Sequence, residues 1–458
     1  MIIVQAKGVA VVLPPPPEQR VPRQRKHLSA GGLYGLLRSG FEKISDPRSR
    51  EGSISLPDAL MSAFAMFSLK DPSLLAFDRR RNDENMRTLF WISRVPSDTR
   101  MRELLDPLES QQFRPLFNDV LRALQRGKAL ESFVFHQGCY LLSLDGTGYF
   151  SSTSIHCASC LEKVNKQTGE ITYQHQMLAA VLMHPDHREV IPLAPEPIQK
   201  QDGNTKNDCE REAGKRLLRQ IRNEHPHLHL IVVEDGLASN APHIRELLNL
   251  DMHFILGAKP GDHAFLFNQV LAAYEADRVT TISWTNQEGV FCEIAFLNDV
   301  PLNESNQDVR VNWLNYSEYG PDGQEQKRFT WVTDLLISKD NAHRLVQGGR
   351  CRWKIENETF NTLKNQGYHY EHNYGHGEKN LSVVFSMLMM LAFLVDQVQQ
   401  LCCPLFQAVL NKARSKRVLW ERLRSHFWHF TFRSMCHLYQ VMLYDLAKEL
   451  PAPVLDTS

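Results

Sequence analysis

The sequence predicts an α/β protein flanked by helical regions, and three observations predict it. In the middle of the chain, short apolar runs alternate with an amphipathic helical pattern, as when strands and helices share one mixed sheet. Farther on, β-branched and aromatic runs follow one another with only turn residues between them. Toward both ends, apolar residues recur at helical spacing with almost no β-branched runs. The 458 residues suffice for two or three domains. With 23 Phe, 12 Tyr and 7 Trp there is ample surface to bury, which excludes disorder as the general state. Lys plus Arg number 52, as do Asp plus Glu, so any nucleic-acid surface must arise from local segregation of charge. Nine cysteines, sparse and irregularly spaced, read as reduced thiols in a cytoplasm rather than a disulfide framework.

Residues 1–27 hold Pro14 to Pro17 and then Arg20, Arg23, Arg25 and Lys26, which predicts a disordered basic leader. Its apolar start (Ile2, Ile3, Val4) lacks a preceding basic stretch and a small-residue cleavage site, so it does not read as a signal peptide. Residues 28–136 read as an all-helical N-terminal domain. Leu56-Pro57-Asp58 opens the apolar run Ala59 to Leu69, a buried helix, and Pro96 to Thr99 offer caps ahead of Met101, Leu104, Leu105 and Leu108.

Residues 137–260 change texture. Leu141 to Leu144, Met177 to Met183, Val190 to Leu193, Leu228 to Val233 and Phe254 to Ala258 read as strands. Asp208 to Arg222 and the stretch around Ile244 to Leu248 read as helices between them. Over 261–340 the strands Val279–Trp284, Val290–Leu297, Val309–Leu314 and Phe329–Leu335 succeed one another without helices, an antiparallel β insertion. Residues 341–400 return to helix, from about Asn341 through Arg352 to Asn365 with a break at Gly348-Gly349. The apolar run Leu381 to Val395 is about 15 residues, short of the ~20 that span a bilayer, so it reads as a core helix and no membrane partner is expected. Residues 401–458 form a basic helical region, with Lys412, Arg414, Lys416, Arg417, Arg422, Arg424 and Arg433 against Glu421.

Two strands end alike, in Leu144-Asp145-Gly146 and Glu234-Asp235-Gly236. Ligands gather at the carboxyl ends of strands in such sheets, and glycine after the aspartate admits a close neighbour. A third acidic cluster, Glu356 and Glu358, lies in the helical run Arg352 to Glu358. Two strand-end aspartates and a helix glutamate make an oxygen-donor set for a pair of hard divalent cations. Such a pair, about 3.5–4 Å apart, can drive phosphodiester displacement. Asp-Gly alone is more commonly just a turn.

The runs Leu144-Asp145-Gly146-Thr147, Val233-Glu234-Asp235-Gly236 and Arg352 through Lys364 resemble bacterial insertion-sequence transposases of the DDE type. The likeness is to the group with an RNase H-like core and a β insertion before the last carboxylate. It spans roughly 137 to 400, and Lys206 to Arg211 is similar to a helical run that such proteins place between the first two carboxylates. The resemblance implies an RNase H-like core in two parts, 137–260 and 341–400. It implies catalysis by Asp145, Asp235 and Glu356 holding two Mg²⁺ or Mn²⁺ ions, with cleavage of transposon ends and strand transfer into target DNA. Its implied partners are double-stranded DNA, as inverted repeats and target, gripped by a DNA-binding domain over 28–136, and a second copy of the chain in a synaptic dimer. In the family's Tyr-x2-Arg-x3-Glu-x6-Lys signature, Arg352 and Glu356 keep the Arg-x3-Glu step. The tyrosine position falls on Gly349, and the lysine, Lys364, comes one residue late. Arg352 and Lys364 are then the expected phosphate contacts, since an arginine fork suits a phosphate. Glu358, with Lys354 before it, is the rival third carboxylate, and Glu234 competes with Asp235.

Other motifs have two readings. Cys157 and Cys160, followed by His175, offer three ligands for a structural zinc, one short of a closed site. The alternative is reduced thiols in a hairpin connection. His372 and His376 lie among Asn and Gly, as in a loop. Trp284, Trp313 and Trp331 suit either stacking on an extruded base or a sheet core. Trp420, Phe427 and Trp428 interleave with the basic residues of the C-terminal region, which suits DNA backbone contacts or an amphipathic helix.

Overall fold

The structure is a computed structural model that describes residues 2–6, 9–13, 26–50, 52–200 and 206–445. The leader departs from the unstructured expectation where it is described: β1 (Ile2–Ala6) and β2 (Val9–Leu13) form an antiparallel hairpin. Residues 14–25, the proline run included, lie outside the described residues.

The N-terminal region is helical as expected: α1 (Ala30–Phe41), α2 (Leu56–Leu69), α3 (Leu74–Asp78), α4 (Glu84–Phe90), α5 (Asp98–Leu105) and α6 (Arg114–Arg126). Short polar caps start these helices. Ser55 accepts the Asp58 N–H at the head of α2, and Ser97 accepts the Arg100 N–H at the head of α5. Apart from Pro57, every residue of α2 is buried, as its all-round apolar pattern requires.

The chain then enters the sheet through β3 (Val134–His136), β4 (Cys139–Ser152), β5 (Leu161–Val164), β6 (Ile171–Met183), β7 (Ile191–Pro192) and β8 (Glu196–Ile198). Helices and strands alternate through α7 (Lys206–Glu224), β9 (Leu230–Glu234), α8 (Ala241–Asn249), β10 (His253–Gly257) and α9 (Ala264–Glu275). The meander β11 (Thr280–Thr285), β12 (Phe291–Asn303), β13 (Asn306–Tyr319) and β14 (Glu325–Thr333) follows. Among the described residues this mixed sheet has twelve strands, with the central order β11-β12-β13-β14-β10-β9-β4-β6-β5. β4 runs antiparallel to β6 and parallel to β9, and β9 runs parallel to β10. The insertion is antiparallel as expected, but it pairs β14 with β10 and so widens the sheet. It also opens with α9, which its sequence reading as strands alone missed. Trp313 and Trp331 are buried in this part of the sheet, so they serve as core and not as free stacking surfaces.

After the sheet come α10 (Ala342–Arg350), a π-helical stretch (Ile355–Phe360), α11 (Asn361–Asn365), α12 (Leu381–Cys402), α13 (Pro404–Ala413), α14 (Lys416–His429), β15 (Phe430–Thr431) and α15 (Met435–Tyr444). Gly348 and Gly349 lie inside α10 and do not break it. A Cβ at Gly349 would come within 2.4 Å of the Trp331 indole, and one at Gly348 within 2.9 Å of the Phe135 ring. The pair lets α10 press against the sheet.

One helix among the described residues, α12, is long and apolar enough to cross a membrane, yet 94% of its most apolar stretch is buried inside the protein. Asp106 of the N-terminal region caps α12, its Oδ1 accepting the backbone N–H groups of Lys379, Asn380 and Leu381 at 3.0–3.1 Å. Asp396 in the same helix pairs with Lys70, whose ammonium lies 4.4 and 4.2 Å from the Tyr368 and Trp420 rings. The helical regions and the sheet thus share one hydrophobic core. The basic C-terminal region joins it too. Trp420 and Phe427 are buried, Arg424 donates to the Lys70 carbonyl, and Lys412 and Arg422 pair with Asp445. Its expected open basic face is correspondingly reduced.

Candidate active site

Parallel pairing of β4 with β9 sets Ser143 opposite Val233, and the Ser143 hydroxyl donates to the Val233 carbonyl at 2.9 Å. Each aspartate lies two residues farther along, so Asp145 and Asp235 reach matching positions on neighbouring strands. Asp145 is still within β4, opposite Ala179 of β6, and is half-buried; its Oδ1 accepts the Gly146 N–H at 2.9 Å. Asp235 is exposed just beyond β9, where its Oδ1 accepts the Leu237 N–H at 3.0 Å in a turn that leads to α8. Both following glycines have a close neighbour. A Cβ at Gly146 would come within 2.7 Å of the Glu210 carboxylate, and Gly236 N lies 3.0 Å from where a Cβ on Gly257 would stand.

The helix after the insertion supplies the next groups. Arg352 and Glu356 share one face, their side chains bonded at 2.7 Å. The π-helical stretch begins at Ile355, so Glu356 sits on the irregular turn. Such turns occur often at functional sites because they redirect side chains. Burial, then the carboxylates of Glu210 and Glu356, push the Asp145 carboxyl up to about 6, against the pull of the Gly146 N–H and Arg352. Charged groups from two other segments therefore act on Asp145.

The rival carboxylates each have a partner of their own. Glu358 pairs with Arg188 at 3.2 Å, and Glu234 with His243 at 2.7 Å. Lys354 is buried and donates to the carbonyls of His184 and Pro185 at 2.8 and 3.0 Å, as a tether rather than a counterpart of Arg352. Lys364 pairs with Glu371 at 2.8 Å.

A cleft of about 540 Å³ opens over the middle of β4 and the end of β9, lined among others by Asp145, Glu210, Glu234, Asp235, His243, Arg352 and Lys215. Its acidic donors are all oxygens, the type that holds magnesium or manganese. The acidic set is more open than a closed metal centre. Among the described residues, only one group of potential metal ligands has its donor atoms within 4.8 Å of one another, and it is a different one.

No family model matches the chain, and no curated protein matches it either.

That tighter group is Cys157, Cys160, His175 and His376. Three of these residues carry the sequence reading of a zinc half-site. His376 is the ligand it left out, because it is remote in sequence and sits in a loop. Glu210 was missed as a site residue for the related reason that only folding lays α7 across Gly146. The run Lys206 to Arg211 was its one sequence signal.

Proposed function

We propose that this chain is a DNA transposase. In this reading it cuts the ends of a mobile element and joins them to target DNA at Asp145, Asp235 and Glu356. The observation that carries the proposal is the parallel pairing of β4 with β9, which sets Asp145, within β4, level with Asp235, just past the end of β9, with Glu356 close enough to raise the Asp145 carboxyl. An RNase H-like core is the finer reading of a mixed sheet that carries its acidic residues in this way.

The donor set fits a pair of hard cations. Asp145 is half-buried beside two other carboxylates, with Arg352 as the positive group acting on it, so added positive charge would relieve their repulsion. Asp145, Asp235 and Glu356 would hold Mg²⁺ or Mn²⁺, with Glu210 beside Asp145. Bound there, the ions would acidify an attacking water or 3′-hydroxyl and offset charge on the leaving oxygen. The protein's own part is positional. The sheet fixes the two aspartates, and the irregular turn aims Glu356. Arg352, once released from Glu356, becomes free to clamp a phosphate with its fork. A second cleft, of about 660 Å³ and lined by Arg188, Arg414, Lys416 and Arg417, offers positive charge for a DNA backbone. The proposal includes a homodimer on paired ends and work on DNA in the cytoplasm. Lys364, like Arg352, would have to leave its carboxylate partner, Glu371, to meet a phosphate.

A second reading is a relative that binds DNA without cutting it. The closed Arg352–Glu356 pair and the open acidic set favour it. One experiment separates the two. A supercoiled plasmid carrying the coding region with its flanking DNA is incubated with the full chain and Mg²⁺. Excision and rejoining by the natural chain, abolished by Asp145→Ala with DNA binding kept, is the expected result. Cleavage that survives in Asp145→Ala would overturn the assignment. Cleavage without joining of precut ends would make the protein a nuclease.

A further inference from the structure

We propose that Cys157, Cys160, His175 and His376 bind one structural zinc ion, which clasps the outer edge of the sheet to the loop ahead of α12. The donor atoms already stand where a tetrahedral centre needs them. Zinc–sulfur and zinc–nitrogen bonds of about 2.3 and 2.0–2.1 Å imply S···S edges of about 3.8 Å, N···N edges of about 3.3 Å and mixed edges between. Cys157 Sγ and Cys160 Sγ are 3.8 Å apart, and His175 Nε2 and His376 Nε2 are 3.2 Å apart. The mixed pairs Cys157–His175, Cys160–His175 and Cys160–His376 measure 3.5, 3.4 and 3.3 Å.

The chemistry agrees with the geometry. Two thiolates and two neutral imidazoles around Zn²⁺ sum to zero charge, which suits a buried centre. Cys160, His175 and His376 are 1%, 3% and 6% exposed. Sulfur and imidazole donors select zinc over magnesium. His376 Nδ1 lies 2.9 Å from the Gly377 carbonyl, a contact that places the ring proton on Nδ1 and leaves Nε2 for the metal. Four protein ligands leave no open position, so the role is structural rather than catalytic. Phe150 covers the centre, its ring 4.5 Å from that of His376, while His156 turns away to stack on Tyr173 at 4.4 Å.

Placement gives the site its meaning. Cys157 and Cys160 lie between β4 and β5, and His175 lies on β6. His376 lies in the segment that joins the Glu356-bearing helix to α12. Without the ion, this edge of the sheet would be tied to that loop mainly by side-chain packing. The inference does not rest on the transposase reading, because it needs neither DNA nor magnesium.

The test begins with the full chain purified under reducing conditions from zinc-supplemented medium, followed by elemental analysis. One zinc per chain is expected. The cobalt-substituted protein should show the visible bands of tetrahedral Co²⁺ together with thiolate charge transfer. His376→Ala and Cys160→Ser should lose the metal, whereas His372→Ala, four residues away on the same loop, should keep it. Chelation should raise amide exchange selectively in 156–176 and 369–380. Zinc absent from the natural chain and not taken up on titration would overturn the proposal, as would a full equivalent of zinc kept by His376→Ala. Because metal content and the cobalt spectrum are read on the natural chain, a variant that fails to fold leaves the decision intact.

Discussion

At Asp145 stability and chemistry pull in opposite directions. Burial and two neighbouring carboxylates raise its carboxyl to about 6, above the unfolded value of 3.8. In that window the folded chain binds more protons than the unfolded one, so this residue's contribution to stability falls as pH rises. The cost is absent below pH 4 or so and fully developed above about 6. Asp145→Asn should therefore stabilise the metal-free protein at pH 8 by about 1–3 kcal/mol, a gain that fades as pH falls toward 4. Urea unfolding midpoints measured across that range check it; an equal gain at pH 4 and pH 8 would contradict burial and carboxylate repulsion as its cause. Asp235 was legible as a strand end followed by glycine, whereas the strand read as ending at Asp145 runs on through Gly146 to Ser152. Glu210 was not, because its partner is a glycine more than sixty residues away, and a missing Cβ leaves no pattern.

Among the elements, the strands and helices were readable because their apolar periods are clean, and the misreadings have physical causes. The glycines of α10 signal a break by propensity, yet tertiary packing overrides it where Trp331 and Phe135 need room. The apolar face of α9 could not be told from a strand by pattern alone. Trp420 and Phe427 stand among basic residues but face the core, since α14 packs on α2 and α13. The junction of α2 with α12 makes a further prediction. Burial pushes the Lys70 ammonium down and Asp396 holds it up, while the Tyr368 hydroxyl donates to the same carboxylate at 2.6 Å. Asp396→Ala should cost about 3–5 kcal/mol, because it strands a buried ammonium. Lys70→Met combined with Asp396→Ala should recover much of that loss in denaturant titrations. Additive losses in the double variant would show that the pair is not coupled.

Across the whole molecule, charge is balanced, and function follows from where the signs are placed. Carboxylates gather at the middle of β4 and the end of β9, arginines and lysines line a separate cleft, and a thiol–imidazole quartet lies at the far edge of the sheet. The core runs unbroken from the N-terminal helices through α12 to the sheet. The proposed activity stands or falls with Asp145, Asp235 and Glu356 sharing divalent ions, and manganese reports on that sharing through its anomalous scattering in crystals soaked with MnCl₂. Two anomalous peaks near Asp145, reached by Asp235 on one side and by a Glu356 released from Arg352 on the other, are the expected result. Crystals that show no manganese at those carboxylates, with Arg352 still bonded to Glu356, would contradict it.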